Sequence, residues 1–182
     1  TEGATIKQQN FNRVNIIGKY NAVMSNATKV TFVASACKSK WDDSGQIPTR
    51  AVNDGTIERF GSSDPSEGGN TERYNASILL STQFKSGSTW QNQAFYSRYK
   101  FNLYSDFTFF LNDPVNGDEI NQAESRNILG FNSTLIEKTC FGKVVLNTTD
   151  GIVLRYDATN DSKLAPVYKR KSNIYLKLGF NI

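Results

Sequence analysis

The stretch TWQNQAFYSRYKFNLYSDFTFF, Thr89 to Phe110, contains neither glycine nor proline. Its odd positions include Phe95, Tyr99, Phe101, Leu103, Phe107 and Phe109. Its even positions include Asn92, Arg98, Lys100, Asn102 and Asp106. A period of two is the signature of a β-strand. At ~3.3 Å per residue the stretch would extend for roughly 70 Å, whereas a globular strand usually has ~5–6 residues. A strand that crosses a bilayer and projects above it explains that length better than a sandwich strand. The aromatic odd face is then expected toward lipid, with Arg98 and Lys100 toward a lumen.

The same period recurs on either side, and helical periodicity is nearly absent. Tyr74, Ala76, Ile78, Leu80, Thr82 and Phe84 alternate with Asn75, Ser77, Leu79, Ser81 and Gln83. Val14, Ile16, Gly18, Tyr20, Ala22 and Met24 form a weaker face, and Val30–Trp41 is a β-prone run. Further strands are expected near 126–135 and 143–156, the latter interrupted at Asp150-Gly151. A last one carries Ile174, Leu176, Leu178, Phe180 and Ile182 on one face. Connections alternate in length: short at 24–30, long at 42–73, tight at 85–88, medium-long at 112–124, short at 136–142, medium-long at 157–172. Outer-membrane barrels alternate short periplasmic turns and long outer loops in this way. The expected fold class is all-β, with about seven antiparallel transmembrane β-barrel strands. Single-chain bacterial barrels use an even number of strands and at least eight, and lipid does not tolerate open edges. The chain is therefore expected to be an incomplete part of a larger barrel.

Composition agrees. Of 182 residues, 38% are hydrophobic and 12% aromatic, which argues against disorder. No apolar run is long enough for a transmembrane helix. The mean hydropathy of −0.48 still suits strands that alternate lipid-facing and lumen-facing residues. No initiating Met or signal peptide opens the sequence, so Thr1 is expected to begin a mature chain or a fragment. The net charge of +4 combines acidic loops with basic residues spread over strands and turns. No basic stripe gathers, so a nucleic-acid partner is not expected. Cys37 and Cys140 are expected to be unpaired packing residues, and the lack of His and of C-x-x-C argues against a zinc site.

The loops supply the candidate chemistry. Asp42-Asp43-Ser44-Gly45 and Asp113–Asp118 resemble calcium loops superficially, but neither has the required spacing. Turn propensity explains them more simply. No nucleophile and base are paired, so neither catalytic residues, a metal nor a cofactor is expected. Gln46, Arg50 and Arg59 are the candidate ligand-binding residues, placed at an outer mouth to capture an anionic chelate. Local ion pairing with Asp and Glu is the alternative role for Arg50, Arg59 and Arg73. Trp41 and Trp90 are expected in an interfacial aromatic girdle.

The long loop reads W41-D-D-S-G-Q-I-P48, then R59-F-G-S-S-D-P-S-E-G-G69. It resembles the first part of the barrel in a group of TonB-dependent receptors, with W-D-x-S-G-Q-I-P before R-F-G-x-x-D-P-[ST]-x-G-G. Tyr104–Pro114 followed by Gly117-Asp118 is similar to that group's next outer loop, and Leu154–Asp157 to a later strand end. The matching runs span about 12–182. The resemblance implies a 22-stranded barrel with a plug, of which 1–182 would be roughly the first third. It implies uptake of a scarce ligand such as a siderophore or other metal chelate, energised by a TonB complex through parts outside this chain. The implied location is the bacterial outer membrane, with lipid as a partner. Two rivals stand beside it: a soluble secreted β-sandwich that binds carbohydrate or protein, and a hydrolase on a β scaffold.

Overall fold

In the computed structural model, residues 9–172 are described. They form β1 (Asn12–Val23), β2 (Thr28–Asp42), β3 (Gly68–Gln83), β4 (Thr89–Ser105), β5 (Ile120–Phe141), β6 (Val144–Tyr168) and the short β7 (Lys171–Ser172). A single helix, α1 (Thr49–Asn53), interrupts the loop between β2 and β3. All strands pair antiparallel in sequence order, so the sheet is an up-and-down meander in one layer.

Local chemistry sets the turns. In the β3–β4 turn, Gly87 takes φ +89° and the Phe84 amide donates to the Ser88 carbonyl at 2.9 Å. Gly142, at φ +61°, supplies the left-handed position between β5 and β6. Between β1 and β2, the Ser25 hydroxyl accepts the Thr28 amide at 3.1 Å. These three connections lie at one end of the sheet, and the loops 43–67 and 106–119 lie at the other. The expected alternation of loop lengths holds as far as β6.

Register divides the sheet into two faces. One row of directly opposed residues runs Tyr20, Phe32, Ile78, Ala94, Phe131, Leu154. The next rows on that face are Gly18, Ala34, Ala76, Tyr96, Leu129, Tyr156 and Ala22, Val30, Leu80, Asn92, Ser133, Ile152. The alternate face carries Ser35, Asn75 and Ser97 in one row and Thr31, Gln93 and Asn132 in another. Hydrogen bonds knit it: Asn75 Nδ2 donates to Ser35 Oγ at 3.0 Å, and Ser97 Oγ donates to Asn75 Oδ1 at 2.7 Å. Ile17, Val33, Leu79, Ile128 and Val153 are among the apolar exceptions on this polar face.

No second layer covers either face among the described residues. Val167 is their one buried hydrophobic side chain, and Ile16, Tyr20 and Leu154 are 67%, 67% and 60% exposed. The accessible surface is 13347 Å². A compact monomer of this mass would show about 8,800 Å² by the usual scaling. A sandwich needs two sheets packed face to face, and these strands make one.

Several expectations are corrected. β4 stops at Ser105, where loop 106–119 begins, so Phe107 and Phe109 are loop residues. The faces of β4 are also reversed. Arg98 and Lys100 share the face of Ile78 and Phe32, whereas Phe95 and Tyr99 share the face of Ser97 and Asn75. The aromatic period of β4 alone does not report which side its neighbours make apolar. Trp90 lies on the apolar face near the short turns, donating from Nε1 to Ser133 Oγ at 2.9 Å. Trp41 is on the opposite face, opposed to Gly69.

Asp150-Gly151 does not interrupt β6, and residues 157–168 extend that strand instead of forming a loop. A register shift between Ala123 and Ser125 on β5 accommodates the extra length, with Asp161 of β6 at φ +55°. An inserted residue in left-handed conformation is how a β-bulge bends a strand, and Asp tolerates that region better than most. The strand expected over Asn173–Ile182 lies outside the described residues.

Candidate functional site

The buried polar groups collect at the long-loop end. Glu67, Ser105, Asp106, Glu119 and Asn121 are all at most 6% exposed. They come from the two long loops and adjoining strand ends, and Arg170 reaches Glu67 and Glu119.

Arg170 and Lys169 form the turn between β6 and β7 with φ of +63° and +49°. Neither is glycine, so the turn stores strain on the order of 1–2 kcal/mol per residue. Such strain persists where the surroundings over-determine it. The Arg170 guanidinium donates to Asp42 Oδ1 at 2.8 Å, to the Glu67 carbonyl at 3.0 Å and to the Ser66 carbonyl. It also lies 5.5 Å from the centroid of the Tyr104 ring. Its backbone N–H donates to Glu119 Oε2 at 3.0 Å, and Glu119 Oε1 accepts from Ser66 Oγ at 2.9 Å. One planar fork thus ties the β2–β3 loop to the β6–β7 turn, while Glu119 brings in the β4–β5 loop. Lys would not reach the same acceptors together.

Beside this hub is a cavity of about 310 Å³ lined in part by Asp43, Gly45, Gln46, Glu67, Tyr104 and Phe107. Glu67 Oε1 accepts the Asp106 amide at 2.7 Å, and Oε2 is buried without a partner. Gly45, at φ +62°, lies against that carboxylate so closely that a Cβ there would overlap it. Burial pushes the Glu67 carboxyl up to about 7; the Asp106 amide opposes this, and the Asp64, Asp43 and Asp106 carboxylates add to it. Burial likewise raises Asp106. Among the described residues, no three His, Cys, Asp or Glu side chains are arranged to hold a metal ion.

The β4–β5 loop is organised by Asp118. Its carboxylate accepts Thr108 Oγ1 at 2.8 Å, the Asn112 amide at 2.9 Å, Asn112 Nδ2 at 3.0 Å and the Asp113 amide at 2.8 Å. Burial pushes this carboxyl up, but the Asn112 amide, the Thr108 hydroxyl and the Asp113 amide hold it below its ordinary value. Asp113 in turn accepts the Val115 and Asn116 amides at 3.0 and 2.9 Å. The loop so held displays Phe107, Phe110, Leu111 and Val115, each more than half exposed.

The expected ligand residues are all exposed on loop 43–67. Gln46 lines the Glu67 cavity. Arg50 is on α1, close enough to Asp54 to help hold its carboxyl down, after the Thr56 hydroxyl and amide. The Arg59 guanidinium lies 5.7 Å from the Phe60 ring centroid. Among the described residues, no hydrogen bond or ion pair joins these three to one another. Arg73 is on β3, 4.9 Å from the Tyr99 ring centroid, and not in the loop. Cys37 and Cys140 are free thiols.

Glu67, Glu119 and Arg170 were not legible as a site. The one signal was Gly68-Gly69, which reflects close backbone approach. A Cβ on Gly68 would meet the Trp41 carbonyl and Arg170 Nη2. No family model, curated protein or solved structure matches this chain, so the reading of its function rests on the sheet and its loops.

Proposed function

We propose that this chain is part of an outer-membrane active-transport receptor for a scarce ligand, a siderophore or comparable metal chelate, energised through TonB. The observation that carries the membrane part is the apolar band running in register across β1 to β6, with a hydrogen-bonded polar face behind it. Leaving a large apolar side chain in water forfeits ~1.5–3 kcal/mol. Lipid removes that cost along the whole band and leaves the polar face to a lumen. Even β1, with 12 residues, exceeds the ~9–11 that a tilted transmembrane strand needs.

The boundary chemistry supports the same orientation. Toward the long-loop end the apolar rows give way to the row Ile16, Ala36, Tyr74, Arg98, Asn127 and then to the row Val14, Lys38, Glu72, Lys100, with Lys38 Nζ 3.2 Å from Glu72 Oε1. Charged groups at that level suit a headgroup interface. Long loops on that side face outward, and the short turns face the periplasm. The transport and TonB parts of the reading rest on the resemblance of 41–48 and 59–69 to the receptor group. Gln46, Arg50 and Arg59 are its outer-loop ligand residues.

The test is the fraction and intact mass of the native polypeptide. The reading expects the outer-membrane fraction, release only by detergent, and a mass well above 20.3 kDa. A detergent-free monomer of 20.3 kDa would sink it and favour a soluble binding module.

A further inference from the structure

Register sets Arg73, Tyr99 and Arg126 directly beside one another on β3, β4 and β5, on the polar face. Between them is a groove of about 310 Å³, lined also by Ser97, Glu124 and Ile128. The two guanidiniums differ in how they are satisfied. Arg73 lies over the Tyr99 ring at 4.9 Å, which spreads its charge over the ring face and makes no use of its N–H fork. Arg126 Nη2 is 2.6 Å from Glu124 Oε1. The pair lacks hydrogen-bond direction, however, since Glu124 Oε1 and Arg126 Nε are both buried without a hydrogen-bond partner. A buried Nε–H left without an acceptor is unfavourable, so Glu124 does not fully satisfy the Arg126 guanidinium.

Charge points the same way. Around the groove, Arg126 has Glu124, and neighbouring Arg155 on β6 donates to both oxygens of Asp157 at 2.6 and 2.9 Å. Among the described residues around the groove, Arg73 remains as the excess cation. The Tyr99 ring walls the groove, and the Phe101 ring stacks beside it with centroids 6.4 Å apart.

We propose that the Arg73–Tyr99–Arg126 groove is an oxyanion subsite on the polar face, taking a carboxylate or phosphate group between the two guanidiniums. The anion accepts from the fork of Arg73 and is held by the charge of the Arg126 guanidinium across the groove. Planar, two-pronged donation is what distinguishes arginine from lysine in such a role. The subsite is separate from the outer-loop residues Gln46, Arg50 and Arg59.

The experiment titrates inorganic phosphate and, separately, citrate into the full native polypeptide in detergent at low ionic strength, followed by calorimetry. Wild type is expected to bind at least one anion saturably. Arg73→Gln and Arg126→Gln should each weaken that binding roughly tenfold, and Arg73→Lys should restore it only in part. Lys85→Gln, in the β3–β4 turn at the opposite end of the sheet from the long loops, should leave it unchanged. The anion bound more tightly identifies the group the site takes. Failure of both anions to bind overturns the proposal, as does binding that Arg73→Gln and Arg126→Gln leave intact. Loss only on Arg50→Gln or Arg59→Gln assigns the anion to the outer loop and also overturns it. Membrane fractionation decides the transport reading independently of all these outcomes.

Discussion

The Phe95 ring lies directly over Gly130 on the neighbouring strand and fills the space a side chain there would need. The two residues are opposed on the polar face, between Ser77 on one side and Arg155 on the other. An aromatic ring over a strand glycine supplies cross-strand contact that the glycine lacks.

Gly130→Ala is therefore expected to destabilise the protein by about 1–3 kcal/mol, the usual cost of overpacking. Phe95→Ala alone should also destabilise, by loss of the ring's contacts. The double variant should be less destabilised than the sum of the two. Thermal unfolding in detergent of wild type, both single variants and the double variant measures the coupling; strict additivity would show that the ring and the glycine do not depend on each other.

Removal of the Arg170 side chain should loosen the β2–β3 loop. Arg170→Ala removes the donor shared by Asp42 Oδ1 and the Ser66 and Glu67 carbonyls and withdraws support from a strained turn. A loss of about 1.4 kcal/mol in local opening would speed cleavage roughly tenfold when closing outpaces cutting. Trypsin cleavage after Arg50 and Arg59 reads this directly. Arg170→Lys should cleave nearly as fast as the alanine variant, because an ammonium cannot span the same acceptors.

Glu67 gives the outer end a pH dependence of definite sign. Its carboxyl holds a proton up to about 7 in the folded loop, against an ordinary value of 4.5. The folded state thus binds more protons between those values, and stability falls as pH rises through that window. Below it the penalty is absent, and above about 7 it is complete and constant. Asp106, raised by its own burial, acts with the same sign. Protection factors of 43–67, with the intrinsic base-catalysed rate divided out, should be higher at pH 5 than at pH 8, and Glu67→Gln should flatten most of that difference. An unchanged slope in the variant would assign it to another group.

The two faces predict opposite responses to charge. Ile78→Lys places an ammonium in the middle of the apolar band and should cost ~2–4 kcal/mol in a bilayer. Ser77→Lys, one residue away on the polar face, should cost far less. Folding yield into lipid vesicles compares them, and equal yields would contradict a lipid-facing band.

Much of the sheet was legible in sequence because alternation is a local property. Tyr74 to Thr82 and Val14 to Ala22 state their apolar face without help from neighbours. β4 does not, because its large rings serve the polar face as covers for a glycine and for arginine. Only pairing reveals that Phe95 belongs with Gly130 and Tyr99 with Arg73. The length of β6 was hidden for a similar reason. Asp150-Gly151 reads as a turn in isolation and 157–172 as a connection, yet ladder bonds to β5 keep the chain extended through Asp150-Gly151 and on to Pro166. The hub was the least visible part, since Asp42 and Arg170 are 128 positions apart and no local pattern joins them.

The carboxylate of Asp118 separates shape from content in the β4–β5 loop. The donors it gathers are backbone amides, one hydroxyl and one carboxamide, none of them from the exposed Phe110, Leu111 or Val115. The display side chains can therefore be exchanged without dismantling the frame beneath them. A loop built this way is free to diversify at its tip while keeping its form, and whatever it meets encounters a surface already set in place.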